Sequence, residues 1–292
     1  MNFLEWYAAL EADISLSTRA VVKTVDPGDH RTTYTGKGFR VRHHAEYRPG
    51  DDRRLIDWKM SLKVGDLLVK RFAHEGQLHV IAACDVSPSM AFGTRDAKWD
   101  VMLRIVGVLG LATLRQLDSF DVILFSDRVE QEFRVAQGRA EVLRLLEDLW
   151  EAPRPGPGQT QTRLVPVLER IAMKPPALVF LISDFQSADN WMPMCEAVRV
   201  KHDLVPVLVR DSGEARLPSL GVVRVRDLES DEEFDLDTGS AAYRALFEAR
   251  ARAAELARIG LFERMGGDYL VVSRDTDFVS DLLTLFHDRK LR

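Results

Sequence analysis

From residue 78 onward, short apolar runs alternate with segments whose apolar positions recur at helical spacing. Leu78 to Ala83, Phe120 to Phe125, Ala177 to Ser183 and Leu204 to Val209 have the length and composition of strands buried on both faces. Between them, Lys98 to Leu117 places Val101, Leu103, Ile105, Val108, Leu109, Leu111 and Leu114 at helical intervals. Gly138 to Trp150, Thr162 to Met173 and Asn190 to Val200 are further predicted helices, the second stopped by Pro175-Pro176. Arg128 to Val135 suits an edge strand beside Phe120 to Phe125. This rhythm predicts an α/β fold, a doubly wound, mostly parallel sheet with helices on both faces.

Two stretches depart from the rhythm. Val222 to Leu228 and Glu233 to Leu236 flank Glu229-Ser230-Asp231-Glu232, which predicts a hairpin insertion near 213–238. Beyond it come a long charged helix, Ala241 to Met265, a short strand, Tyr269 to Ser273, and a terminal helix, Asp277 to His287, with Thr276 or Asp275 as its cap. At the start of the chain, Phe3, Leu4, Trp6, Tyr7, Leu10 and Ile14 form an amphipathic helix within residues 1–25. Residues 26–76 are rich in Arg, Lys and Gly. There Phe39, Val41, Ile56, Trp58, Leu67, Leu68 and Val69 suggest short strands, with a turn at Val64-Gly65-Asp66. The expected organisation is an N-terminal helix and β-rich extension over 1–76, followed by the α/β domain over 77–292.

Composition narrows the function classes. The 292 residues are 46% hydrophobic with a formal net charge of -5, so a sizeable core is possible and nothing global favours nucleic acid or an anionic membrane. The basic, aromatic-bearing stretch 31–71, with Arg40, Arg42, Arg53 and Arg54, could grip single-stranded nucleic acid, but neighbouring carboxylates make a solvated face the cheaper explanation. His30, His43, His44, His74 and His79 lack Cys or acidic partners at zinc-site spacing, which argues against zinc. No run has the length of a membrane span, and the start lacks a basic region followed by an apolar one. Only Cys84 and Cys195 occur, both in predicted buried elements, so the expected location is a reducing cytoplasm.

The chemistry concentrates where the first buried strand ends. Asp85, Ser87 and Ser89, spaced two apart around Pro88, are hard oxygen donors of the kind Mg2+ or Mn2+ prefers. Read by itself, the segment is equally a strand running into an ST-turn. Asp184 follows another buried strand, and in doubly wound sheets ligands sit outside the carboxyl ends of strands, where the strand order reverses. That placement predicts that Asp85 and Asp184 meet.

Asp85-Val86-Ser87-Pro88-Ser89 resembles the Asp-x-Ser-x-Ser motif of von Willebrand factor A domains, which carry a metal-ion-dependent adhesion site. The resemblance implies a Thr from a later loop and an Asp at a strand end; Thr162, followed by Leu164, fits the first, with Thr160 the runner-up, and Asp184 fits the second. A wider resemblance covers nearly the whole chain. The run Glu46 to Trp58, with Lys70-Arg71-Phe72 and Glu75, Ser183-Asp184-Phe185, and Arg210 to Glu214 followed by Leu217-Pro218, is similar to the bacterial family called domain of unknown function 58. It implies a von Willebrand A-like domain with an N-terminal extension and a MoxR-type AAA+ ATPase as partner.

Taken together, Ser87, Ser89 and Thr162 would supply neutral oxygens to Mg2+ or Mn2+, and Asp85 and Asp184 would supply charge. Neutral direct ligands leave the ion under-compensated, so an acidic side chain of a partner protein would complete its shell. The expectation is a metal-dependent protein-interaction domain rather than an enzyme. The competing reading is a magnesium-dependent phosphohydrolase or nuclease using Asp85 and Asp184. It lacks the second Asp two residues after the nucleophile, where Ser87 stands, and the chain has neither a P-loop nor a Gly-x-Ser-x-Gly elbow.

Overall fold

A computed structural model describes residues 2–11, 39–46, 56–74, 79–91, 98–114, 119–135, 138–153, 161–227 and 231–291. The chain divides into two compact units, Met1–Thr24 with His79–Arg292, and Val25–Leu78. Residues 2–11 therefore fall in the same unit as the α/β sheet.

In the smaller unit, β1 (Phe39–Glu46) and β2 (Leu68–His74) pair antiparallel. Between them runs α2 (Trp58–Val64), so Trp58 begins a helix where a strand was expected. The cause is local capping. Asp57 accepts a bond from Met60 N (3.2 Å), and the Ser61 hydroxyl donates to Asp57 O (2.8 Å) while accepting from Leu68 N (2.9 Å). Gly65, at φ +92°, ends the helix in the left-handed region. Trp58 is 62% exposed. Most of the Arg48 to Trp58 run lies outside the described residues.

The larger unit is built on a six-stranded sheet. Its strands are β3 (His79–Asp85), β4 (Ser119–Phe125), β5 (Val129–Val135), β6 (Leu178–Ser183), β7 (Asp203–Val209) and β10 (Leu270–Val272), in the order β10-β7-β6-β3-β4-β5. All neighbours are parallel except the edge strand β5, which folds back antiparallel on β4. This is the doubly wound, mostly parallel sheet expected from the alternation of elements. β3 is buried along its whole length. Period-two alternation sends Ile81 and Ala83 to a core shared with α5 (Val165–Ala172), α6 (Met192–Arg199) and Phe262 near the end of α7 (Ala241–Met265). On α3 (Lys98–Leu114), Met102, Leu103, Ile105 and Val106 are buried, and this helix packs against α4 (Arg139–Glu151).

The opening helix α1 (residues 3–11) docks on this pair. Trp6 and Trp150 have ring centroids 5.3 Å apart, and Glu11 pairs with Arg139. Leu10 fills the space a Cβ on Gly107 would need, its Cδ2 only 2.5 Å from that position. The predicted hairpin is present as β8 (Val222–Arg226) paired antiparallel with β9 (Glu233–Asp237). The terminal helix α8 (Phe278–Leu291) has Asp277 rather than Asp275 or Thr276 at its start, accepting from Ser280 N (3.2 Å). Thr276 instead accepts from Ser273 N (3.0 Å).

Candidate metal centre

The sheet places the predicted residues at its point of reversal. The chain winds outward from β3 to β4 and β5, then returns through α5 to β6 on the opposite side of β3. Asp85 closes β3, and Asp184 directly follows β6, so the two flank the crevice where doubly wound sheets bind ligands. The ladder pairs Cys84 with Ile182, which leaves Asp85 and Ser183 side by side at the next step. The Ser183 hydroxyl donates to Asp85 Oδ2 at 2.6 Å, and Ser87 N donates to Oδ1 at 2.9 Å. Asp85 is fully buried. Burial, reinforced by the charge of Asp184, pushes its carboxyl up to about 7 against the opposing pull of these hydrogen bonds.

The hydroxyls come from two further loops. Ser87 and Ser89 flank the start of a short 3-10 turn, Pro88–Ala91, and their Oγ atoms are 3.0 Å apart. Thr162 Oγ1 donates to Ser87 Oγ at 2.8 Å. Thr162 was expected at the start of the following helix, yet α5 begins at Val165 and is capped from outside. Asp189 accepts from Leu164 N (3.2 Å) and Val165 N (2.8 Å), so the Thr162 side chain is aimed at Ser87 instead. The Thr162 carbonyl is tied to Ala188 N (3.1 Å), and Arg163 N to Ser126 O (2.9 Å). Thr160 lies outside the described residues.

Asp184 is held by a sharp turn. Phe185 takes φ +55°, a left-handed conformation uncommon for a bulky residue, with its N–H donating to Ser183 Oγ (2.9 Å). Its ring is buried edge-on to Phe262 (4.8 Å) and against Trp191 (5.6 Å). Apolar packing therefore stabilises a strained backbone that presents Asp184.

Two charged residues that the motif reading passed over complete the site. Lys98, the first residue of α3, is wholly buried, with Nζ 2.5 Å from Asp184 Oδ2 and 2.5 Å from Glu214 Oε1. Burial alone would lower its pKa, but the two carboxylates outweigh that and hold it above the ordinary value. Burial raises the Glu214 carboxyl, with Lys98 opposing. Glu214 sits on the 3-10 turn Ser212–Ala215 that follows β7. The available signal was Lys98 itself, a cation where a helix dipole disfavours one.

The donor set suits a small hard cation. The Thr162–Ser87 and Ser87–Ser89 hydroxyl pairs lie at hydrogen-bond separation, which brings three neutral oxygens together. Among the described residues no three His, Cys, Asp or Glu side chains converge as metal ligands. All five predicted residues are buried, Ser89 being the most exposed at 8%.

Residues 43–257 match the family described as "Protein of unknown function DUF58", and the chain belongs to that family. Uncharacterized proteins of Mycobacterium tuberculosis and Mycobacterium bovis are 25% identical to it over 295 aligned residues, spanning 97% of this chain and 90% of theirs. Among solved structures, BatB from Bacteroides thetaiotaomicron aligns at 13% identity and TM-score 0.46, covering 74% of this chain and all of that one. An aerotolerance-related membrane protein from Bacteroides fragilis aligns at 12% identity and TM-score 0.45, with the same coverage. Among the described residues no helix is long and apolar enough to cross a membrane.

Proposed function

We propose that this protein is a divalent-cation-dependent protein-interaction domain of von Willebrand factor A type, acting in the cytoplasm as an adaptor for a MoxR-type AAA+ ATPase. The observation that carries this reading is the hydroxyl chain Thr162–Ser87–Ser89 beside two carboxylates at the strand-order reversal. Ser87, Ser89 and Thr162 would hold Mg2+ or Mn2+, with Asp85 and Asp184 balancing its charge. A bound ion of this kind supplies a Lewis-acidic position for an acidic side chain of the partner. Asp85 is better placed to orient such a shell than to act as a nucleophile, because both its oxygens accept hydrogen bonds and none of it reaches solvent. The AAA+ partner rests on the family resemblance.

The test is a pull-down against the cognate ATPase in Mg2+ and in EDTA, with wild type and Asp85→Ala. Loss of capture in EDTA and in the variant is the expected result. Capture unchanged in both overturns the metal-dependent reading.

A further inference from the structure

Lys98 occupies an unusual position for a lysine. Long cationic side chains normally carry their ammonium to water, and an isolated ammonium is strongly disfavoured in an interior. Here the whole side chain is buried, and its charge is met by Asp184 on one side and Glu214 on the other, each at 2.5 Å. Asp184 also directly follows β6, the strand paired with β3, which ends at Asp85. The negative field at the reversal point therefore already has a cation, delivered by α3 of the same chain.

We propose that Lys98 is the resident counter-ion of this site, and that its ammonium and a divalent metal ion are alternative occupants of the field around Asp184. This rests on the metal reading above and adds the residue that sets when metal enters. With the ammonium seated, positive charge next to Asp184 repels an incoming divalent ion, and one of the two site carboxylates is already engaged. Metal entry then requires the Lys98–Asp184 bond to break. Glu214 supports the seated state, since it gives the ammonium a second carboxylate and ties the turn after β7 to the first residue of α3. A low affinity for free cation, raised when Lys98 moves, follows from this arrangement.

Two measurements on the full chain test it. The first is Mn2+ titration followed by electron paramagnetic resonance, on wild type, Lys98→Met and Asp85→Ala. Lys98→Met keeps most of the side chain's length, one heavy atom short, without its charge, and is expected to bind Mn2+ about tenfold or more tightly than wild type. The second uses wild type alone, so it does not depend on a variant folding. Amine acetylation read by mass spectrometry is expected to leave Lys98 protected without metal and to label it at saturating Mn2+. Equal Mn2+ affinity in wild type and folded Lys98→Met, or Lys98 equally protected with and without bound Mn2+, overturns the proposal while leaving the metal reading intact. Absence of Mn2+ binding by wild type and Lys98→Met alike overturns the metal reading, and this proposal with it.

Discussion

Thr162 and Ser87 stand 75 positions apart in the chain, yet the Thr162 hydroxyl donates to Ser87 Oγ at 2.8 Å inside the protein. Both side chains are fully buried. The bond joins the loop before α5 to the turn after β3, and it fixes one edge of the hydroxyl cluster. Thr162→Val preserves shape while removing the donor. It is expected to cost about 1 kcal/mol in urea unfolding and to weaken Mn2+ binding about tenfold. A variant that loses stability but keeps wild-type Mn2+ affinity would remove Thr162 from the proposed ligand set.

The loop carrying Thr162 depends on a residue outside the motif. Asp189 caps α5 through the amides of Leu164 and Val165 and also accepts from the Ser187 hydroxyl at 2.6 Å. Asp189→Ala leaves those amides without their acceptor, at an expected cost of about 1–2 kcal/mol. Because the cap also sets where the chain enters α5, Mn2+ binding should weaken although Asp189 is not a proposed ligand. Asp189→Asn, which keeps an acceptor, should fall between the two in both measurements.

Phe185 invites a comparison that reverses a common ordering. Replacing its buried ring with Ala should cost about 3–5 kcal/mol, as large core truncations do. Its φ of +55° is unfavourable for any residue with a Cβ, whereas glycine adopts it without strain. Phe185→Gly should therefore be more stable than Phe185→Ala by about 1 kcal/mol. Equal stability, or the reverse order, would show that the turn at Asp184 is not strained.

These cases show which parts of the protein were legible beforehand. The sheet was, because β3, β4, β6 and β7 are apolar runs of strand length separated by helix-length stripes, and burial on both faces allows few other readings. The placement of Asp85 and Asp184 at the carboxyl ends of two paired strands was legible too. What stayed hidden depends on tertiary neighbours. Trp58 looked β-forming until Asp57 and Ser61 were seen to start a helix. Asp189 acts from 25 residues away on Leu164. Glu214 reaches Lys98 across 116 residues. No periodicity reports contacts of that kind, and a single lysine at a helix start was the only mark that the site held its own cation.

At the opposite end of the sheet, His202 provides a test in pH. Its ring is buried, and neither nitrogen has a hydrogen-bond partner among the described residues. Burial, together with the nearby Lys201 and His79, pushes its pKa down to about 4 from an ordinary 6.5. Above 6.5 the ring is neutral in both folded and unfolded chains, so it confers no pH dependence. Between about 6.5 and about 4 the unfolded chain takes up a proton that the folded protein refuses, and stability falls as pH falls. Below about 4 both forms are protonated and the contribution levels off. Allowing for solvent screening, the loss across the window is about 1–2 kcal/mol. Asp121, held below the ordinary carboxylate range by His79 and Lys174 against the opposing effect of its own burial, adds its own loss only at more acidic pH. Urea unfolding at pH 7 and pH 5 separates the two groups. Asp85, pushed up to about 7, works the other way over this range, because the folded protein takes up its proton before the unfolded chain does. The reading is therefore a difference: from pH 7 to pH 5, His202→Phe should gain about 1–2 kcal/mol relative to wild type. An unchanged pH slope in His202→Phe would assign the acid sensitivity elsewhere.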